Sequence, residues 1–228
     1  MYQGRKELRE PENMADVKCK LANSLLDRES LNNSYIALRH GASFANKGQQ
    51  LVSSDELDGT GFGLIEKGKE DIRKCFFRDM AQLDCKEDQV VILTSPLSRC
   101  RDSAQVLKEL FSLHRGVEVP VLVKEELRDR GYGEFEGAHV DNWEKLREAD
   151  LNDPFTPPYS AESVGQMHER LSALMSNLES EYQGKMIIMV THCDPIQVLE
   201  VLFTRSSPSH YSEIKELGMA EVKPLVLK

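Results

Sequence analysis

Three short runs constrain the fold most: Tyr35-Ile36-Ala37-Leu38, Val90-Val91-Ile92-Leu93-Thr94 and Met186-Ile187-Ile188-Met189-Val190-Thr191. Each reads as a strand that is apolar throughout rather than on alternate residues. Such strands belong in mainly parallel sheets whose two faces are both covered by helices. The intervening sequence supplies those helices. Residues 66–83, 98–114, 141–150, 162–182 and 195–204 carry helical patterning, with Val106, Leu107, Leu110 and Leu113 on one face of the second. Val117 to Val123 is strand-like, but Pro120 places it at an edge or a bulge. Residues 219–227 offer a last strand. The expected fold is α/β, a three-layer sandwich with a mainly parallel sheet and helices on both faces. A chain of 228 residues can bury a sizeable core. We divide it into an N-terminal extension over residues 1–33, partly helical or disordered, and a domain over 34–228. The extension carries a weak helical stripe of Met14, Val17, Leu21 and Leu25.

In open α/β sheets, ligands bind beyond the carboxyl ends of the strands. Here the first strand ends in Arg39-His40-Gly41, the second runs into Thr94-Ser95-Pro96-Leu97-Ser98-Arg99, and the third ends in Thr191-His192-Cys193-Asp194. Two arginines and two histidines therefore meet at one sheet edge. The formal charge of −9 gives that clustering its meaning. It argues against nonspecific nucleic-acid binding, which needs a basic surface. An acidic protein that handles anions has to gather a few cations in one place. The five cysteines are odd in number and lack CxxC spacing, which points to reduced thiols in a cytosolic setting. No apolar run approaches the roughly 18 residues of a membrane span. The N-terminus lacks the apolar core of a secretory signal. The expectation is a cytoplasmic protein without a membrane partner.

Taken in order, RHG (39–41), SPLSR (95–99), LRDRGYGEFEG (127–137), AESVGQMHERL (161–171) and THCD (191–194) resemble the histidine phosphatase superfamily, also called phosphoglycerate mutase-like. The resemblance spans roughly residues 35–205. It implies that His40 is the nucleophile, and that Arg39 and Arg99 hold the phosphoryl oxygens with His192 as a further contact. An imidazole must be unprotonated to attack phosphorus, and neighbouring arginines disfavour its charged form. Guanidinium suits phosphoryl oxygens because its planar fork pairs two of them and keeps its charge. Gly41 would let the backbone approach the phosphate, and Asn46 would offer its amide N–H. The family's acid is usually a glutamate, where this chain has Asp129, one methylene shorter. Asp129 is the expected proton donor, with Glu134 and Glu136 nearby and Glu136 read as structural. Arg130 and Tyr132 would contact the part of the substrate that is not transferred.

Other departures carry their own expectations. Ala161 replaces the first residue of the family's GES, and Arg170 supplies the arginine that follows it. Cys193 stands where the family often has glycine, as a small buried filler or as an oxidation-sensitive thiol. Asp194 is expected to cap the next helix, with Pro195 in its first turn. His114, His139, His168 and His210 lack such partners and are read as surface or structural residues. The glycine-rich stretch Gly48 to Leu64 and the segment 152–159 are expected to roof the pocket.

The preferred reading is a phosphomonoesterase that forms a phosphohistidine on a small phosphorylated metabolite, with no metal or other cofactor. The alternatives are a cofactor-dependent phosphoglycerate mutase and a non-catalytic phosphate-binding module. A mutase of this family carries paired arginines in an insertion after the acid segment, whereas Tyr132 to Glu162 is short and holds Lys145 and Arg147 as its cations. A homodimer stays open.

Overall fold

The computed structural model describes residues 29–83 and 89–228. In chain order the elements are β1 (Ser34–Arg39), the short helices α1 (Phe44–Gly48) and α2 (Asp55–Asp58), and α3 (Glu66–Cys75). They continue with β2 (Val90–Thr94), α4 (Ser98–Arg115), β3 (Val121–Val123), α5 (Asn142–Asn152) and α6 (Val164–Glu181). The last are β4 (Met186–Thr191), α7 (Cys193–Phe203) and β5 (Val222–Leu225). The sheet order is β3-β2-β4-β1-β5. The first four strands in that order run parallel, and β5 pairs antiparallel with β1.

The apolar strands are buried on both faces, and their residues divide with the two-residue period of a strand. Tyr35, Ala37, Val91, Leu93, Ile187 and Met189 pack on one side, in a core shared with α6 and α7. Ile36, Leu38, Val90, Ile92, Ile188 and Val190 face the other side, against α3 and α4. Arg39 pairs with Thr191 and Thr94 with Val190, so the three strands end level with one another. That shared register brings the polar residues after each strand to one place.

Several boundaries differ from the sequence reading. The first long helix gives way after Cys75 to a π-helical turn over Phe76–Met80. The third strand shortens to Val121–Val123, because Pro120 has no N–H to give the ladder; Val117 and Val119 are buried without belonging to the strand. The last helix begins at Cys193, with His192 at its N-cap. Asp194 lies inside its first turn and makes no cap hydrogen bond. The stripe Met14, Val17, Leu21 and Leu25 lies outside the described residues. Residues just before the domain are already tied to it: the Asn32 backbone N–H and the Asn33 side chain donate to Glu179 at 2.7 and 3.0 Å.

Candidate active site

Arg39, His40, Arg99, Asp129, Tyr132, His192 and Asn46 line one cavity of about 150 Å³ at the carboxyl ends of the strands. Each element delivers its side chain for a local reason. His40 follows the last residue of β1, and its backbone N–H donates to Thr191 O, so the β1–β4 pairing continues into the site. A Cβ on Gly41 would lie 2.5 Å from the carbonyl oxygen of Gly68 in α3. Gly41 is therefore needed for backbone packing against Gly68, a reason the sequence did not show. Gly68 is equally crowded, against the backbone of Ala42. It carried no motif that would have revealed this.

Arg99 sits in the first turn of α4, which has no cap from its own N-cap residue, Leu97. The cap arrives from α2. The Asp58 carboxylate accepts from Ser98 N and Ser98 Oγ, both at 2.8 Å. Sequence reading missed Asp58 because its partner is 40 residues away. Asn46 closes a capping box with Ser43 at the start of α1. Its Oδ1 is committed to Ser43 N and Oγ, which leaves the amide N–H groups to meet a ligand.

The two histidines are both buried, with ring centroids 5.1 Å apart. His40 Nδ1 lies 2.8 Å from Gly41 O, a carbonyl that can only accept. The proton is thereby assigned to Nδ1, and the lone pair to Nε2, where Arg99 Nε donates at 3.3 Å. Burial, Arg99 and then Arg39 hold the His40 pKa well below the usual imidazole value. His192 is the complement. Ser95 Oγ lies 2.9 Å from its Nε2, while its Nδ1 lies 3.3 Å from Asp129 Oδ2. With Ser95 donating its hydroxyl proton, the Nδ1–H of His192 points to Asp129 Oδ2 at the cavity wall. Its pKa is lowered too, first by burial and then by Arg99.

Asp129 Oδ2 also accepts from Arg99 Nη2 at 2.8 Å and from the Tyr132 hydroxyl at 3.2 Å. Burial nonetheless raises its pKa to about 6, against the pull of Arg99 and with the help of the Asp194 charge. Arg39 Nε and Arg99 Nη1 are buried nitrogens without a hydrogen-bond partner, although Arg99 Nη1 lies 3.8 Å from Asp58 Oδ1. A buried guanidinium N–H left unpaired is costly, and an anion in the cavity would relieve that cost. The site thus offers two cationic forks, an imidazole lone pair and a carboxyl group that can carry a proton.

Arg130 is not part of this constellation. It is fully buried and forms a bidentate pair with Asp150, at 2.6 and 2.8 Å. It braces the segment that carries Asp129 from behind. Glu136 is structural as read, accepting from Ser53 N, Ser53 Oγ and Ser54 N. Glu162 and Arg170 pair through two hydrogen bonds, at 2.6 and 2.9 Å. Cys193 lines the cavity, but burial pushes its thiol up to about 12, which removes the thiolate an oxidation-sensitive role needs. Of the expected roof, Gln50, Leu51 and Val52 reach the cavity. The segment 152–159 does not; Val140 and Trp143 take its place. Trp143 went unnoticed in the sequence, and its indole N–H donates to Asp194 at 3.2 and 3.3 Å.

Comparison with known proteins bears on the family and the fold. The chain is 25% identical over 109 residues to the Bacillus subtilis protein named uncharacterized phosphatase PhoE, a match covering 48% of this chain and 50% of that protein. It therefore aligns over about half the length of that curated relative. Among solved structures, mycobacterial glucosyl-3-phosphoglycerate phosphatase superposes with a TM-score of 0.65 at 22% identity, over 83% of this chain and 90% of that one. Phosphoserine phosphatase from Entamoeba histolytica superposes with a TM-score of 0.63 at 18% identity, over 83% and 88%. At these identities the structural likeness speaks to fold. The family profile of the histidine phosphatase superfamily (branch 1) matches residues 35–225, within which all of the cavity's residues fall, and the chain belongs to that superfamily.

Proposed function

We propose that this protein is a metal-independent phosphomonoesterase that acts on a small phosphorylated metabolite through a phosphohistidine at His40. One observation carries the reading: the His40 Nε2 lone pair is held beside the Arg99 guanidinium while Nδ1 is tied to Gly41 O. Nε2 attacks phosphorus in line, forming the P–N bond as the ester P–O bond breaks. Arg39 and Arg99 take the equatorial oxygens, and His192 Nδ1–H and the Asn46 amide add donors. The departing alkoxide takes the proton of Asp129, whose raised pKa keeps that proton available near neutral pH. Water then attacks the phosphohistidine, gives its proton to the Asp129 carboxylate and releases phosphate and free His40. The names of the relatives, phosphatases in each case reported above, point the same way.

The mutase reading finds less support. The cations lining the cavity are Arg39 and Arg99, both assigned to one phosphoryl group, and the remaining charged residues there, beyond Asp129, are Asp194 and Glu216. A second phosphate would meet carboxylates. A non-catalytic module has no use for a buried carboxyl group set to hold a proton.

The test is hydrolysis of an aryl phosphate and an alkyl phosphate, with EDTA present, by the wild type, His40→Ala and Asp129→Asn. The wild type is expected to turn over both, and His40→Ala neither. Asp129→Asn should keep much of its aryl rate, because a phenolate leaves unaided. It should lose about 10²–10⁴-fold on the alkyl ester. Abolition of wild-type turnover by EDTA would overturn the metal-free mechanism.

A further inference from the structure

Asp194 makes no ion pair in the fold, and the chemistry above draws on it only for the charge that acts on Asp129. Its carboxylate is 2% exposed and lines the cavity. It forgoes the helix cap that its position suggested, and its two oxygens share the single Trp143 indole N–H at 3.3 and 3.2 Å. Among the described residues, no lysine or arginine nitrogen lies within ion-pair distance of it. Other buried or half-buried acids of the molecule are matched: Asp150 by Arg130, Glu162 by Arg170, and Asp58 by the start of α4. The buried Tyr211 hydroxyl lies close to the Asp194 carboxylate without a well-aligned bond, and Arg130 acts on it through space while its own hydrogen bonds go to Asp150, so the carboxylate keeps room for a direct charged donor.

The cavity says what would satisfy it. A phosphoryl group belongs with Arg39 and Arg99, and a carboxylate repels it, so Asp194 must face the alcohol part of the ester. Glu216, partly neutralised by Arg147 at 3.1 Å, adds negative charge on the same lining. Trp143 and Tyr132 supply aromatic walls, which favour a cation over an anion. The cavity is also small beside the roughly 300–1,000 Å³ of sites for drug-sized ligands.

We propose that Asp194, oriented by the Trp143 indole, recognises an ammonium group on the leaving alcohol, so that the preferred substrate is the phosphate monoester of a short amino alcohol. This rests on the phosphatase reading and adds the substrate class. The substrate's ammonium gives Asp194 the direct ion pair it lacks, while its phosphate accepts from the Arg39 and Arg99 nitrogens that have no hydrogen-bond partner. Esters with a carboxylate or a second phosphate are turned away at the same point. Selectivity thus comes from pairing one buried charge and from repelling its opposite.

The experiment compares kcat/KM for O-phosphoethanolamine, its N-acetyl derivative, glycerol 2-phosphate and 3-phosphoglycerate, with an aryl phosphate as the reference for chemistry. The wild type should favour O-phosphoethanolamine over the uncharged N-acetyl ester by about tenfold or more, the scale of one charge-assisted hydrogen bond. 3-Phosphoglycerate should be the poorest of the four. In Asp194→Asn the ratio of amine to N-acetyl ester should fall to near one. The substrate-side comparison needs only the wild type, so it holds even if the variant fails to fold. Equal rates on the amine and N-acetyl esters, or a preference for glycerol 2-phosphate or 3-phosphoglycerate, would overturn the ammonium subsite. If His40-dependent aryl phosphate turnover persists, the phosphatase reading survives that result. An amine preference that persists in a folded Asp194→Asn variant would overturn the assignment to Asp194. Absence of any His40-dependent turnover overturns both readings.

Discussion

At the residue scale, protonation state decides what the cavity can do. His40 must be neutral to attack, and its pKa is lowered well below the ordinary value, so it is ready across the physiological range. Asp129 must be protonated to donate, and its pKa stands at about 6 in the free protein. The two requirements differ in their consequences. Turnover of an alkyl ester should decline as pH rises through the Asp129 pKa, because the proton is lost. The ratio of alkyl to aryl rate should fall over the same range, since the aryl ester does not need that proton. Dividing one rate by the other removes the titration of the phosphate itself, and a pH-independent ratio would take Asp129 out of the acid's role. A related prediction concerns Tyr132, whose hydroxyl donates to Asp129 Oδ2. Tyr132→Phe removes a donor that favours the charged carboxylate, so the alkyl rate should persist to higher pH than in the wild type. Arg39, His40 and His192, which line the cavity, were legible in the sequence because they stand at strand ends, and Arg99 because it opens the helix that follows β2. Arg130 was misread for a physical reason. An arginine next to the acid can face the ligand or the core, and Asp150, the residue that decides it, lies 20 positions away.

At the element scale, precision comes from contacts between segments that sequence periodicity does not report. The β1 exit is held against α3 by two glycines whose backbones leave no room for a Cβ. Gly68→Ala should destabilise the domain by about 1–3 kcal/mol, as overpacking does, and should lower kcat because Ala42 and His40 shift with it. Chemical denaturation and aryl phosphate kinetics on the same variant check both. The α4 start depends on Asp58, which caps Ser98 from α2. Asp58→Ala should cost about 0.5–2 kcal/mol, the range for a lost cap, and should weaken phosphate binding because Arg99 is in the first turn. An unchanged inhibition constant for inorganic phosphate would show that Arg99 is held without that cap. Strands and long helices were readable because apolar runs and 3.6-residue spacing have simple causes. Helix ends and the roof were not, because Asp58, Trp143 and Gly68 act through partners distant in sequence.

At the scale of the whole molecule, the acidic surface and the buried histidines set how the protein responds to its surroundings. His168 is 2% exposed on α6, and burial lowers its pKa to about 4. His40 and His192 are lowered as well. The unfolded chain binds protons at these histidines first, near the ordinary value of about 6.5. Their contribution to stability is therefore full above that value and is lost as pH falls below it, down to about 4 in the case of His168. Asp129 acts in the opposite sense, since its folded-state pKa is raised, so it contributes more as pH falls through about 6. Comparing variants separates the two. His168→Leu should lose less stability between pH 7 and pH 5 than the wild type does, measured as urea midpoints. An identical slope would show that His168 carries no such linkage. The α/β sandwich was legible from three apolar runs and the helices between them, whereas the antiparallel direction of β5 was not, because only its partner β1 defines it.

The central claim is that His40 carries the phosphoryl group. The most direct measurement is the intact mass of the protein quenched in alkali during turnover of an aryl phosphate, compared with His40→Ala. The expected result is a gain of one phosphoryl group that survives base, is lost in acid and is absent from the variant. A gain that persists in His40→Ala, or steady turnover with no gain even under rapid quench, would contradict it.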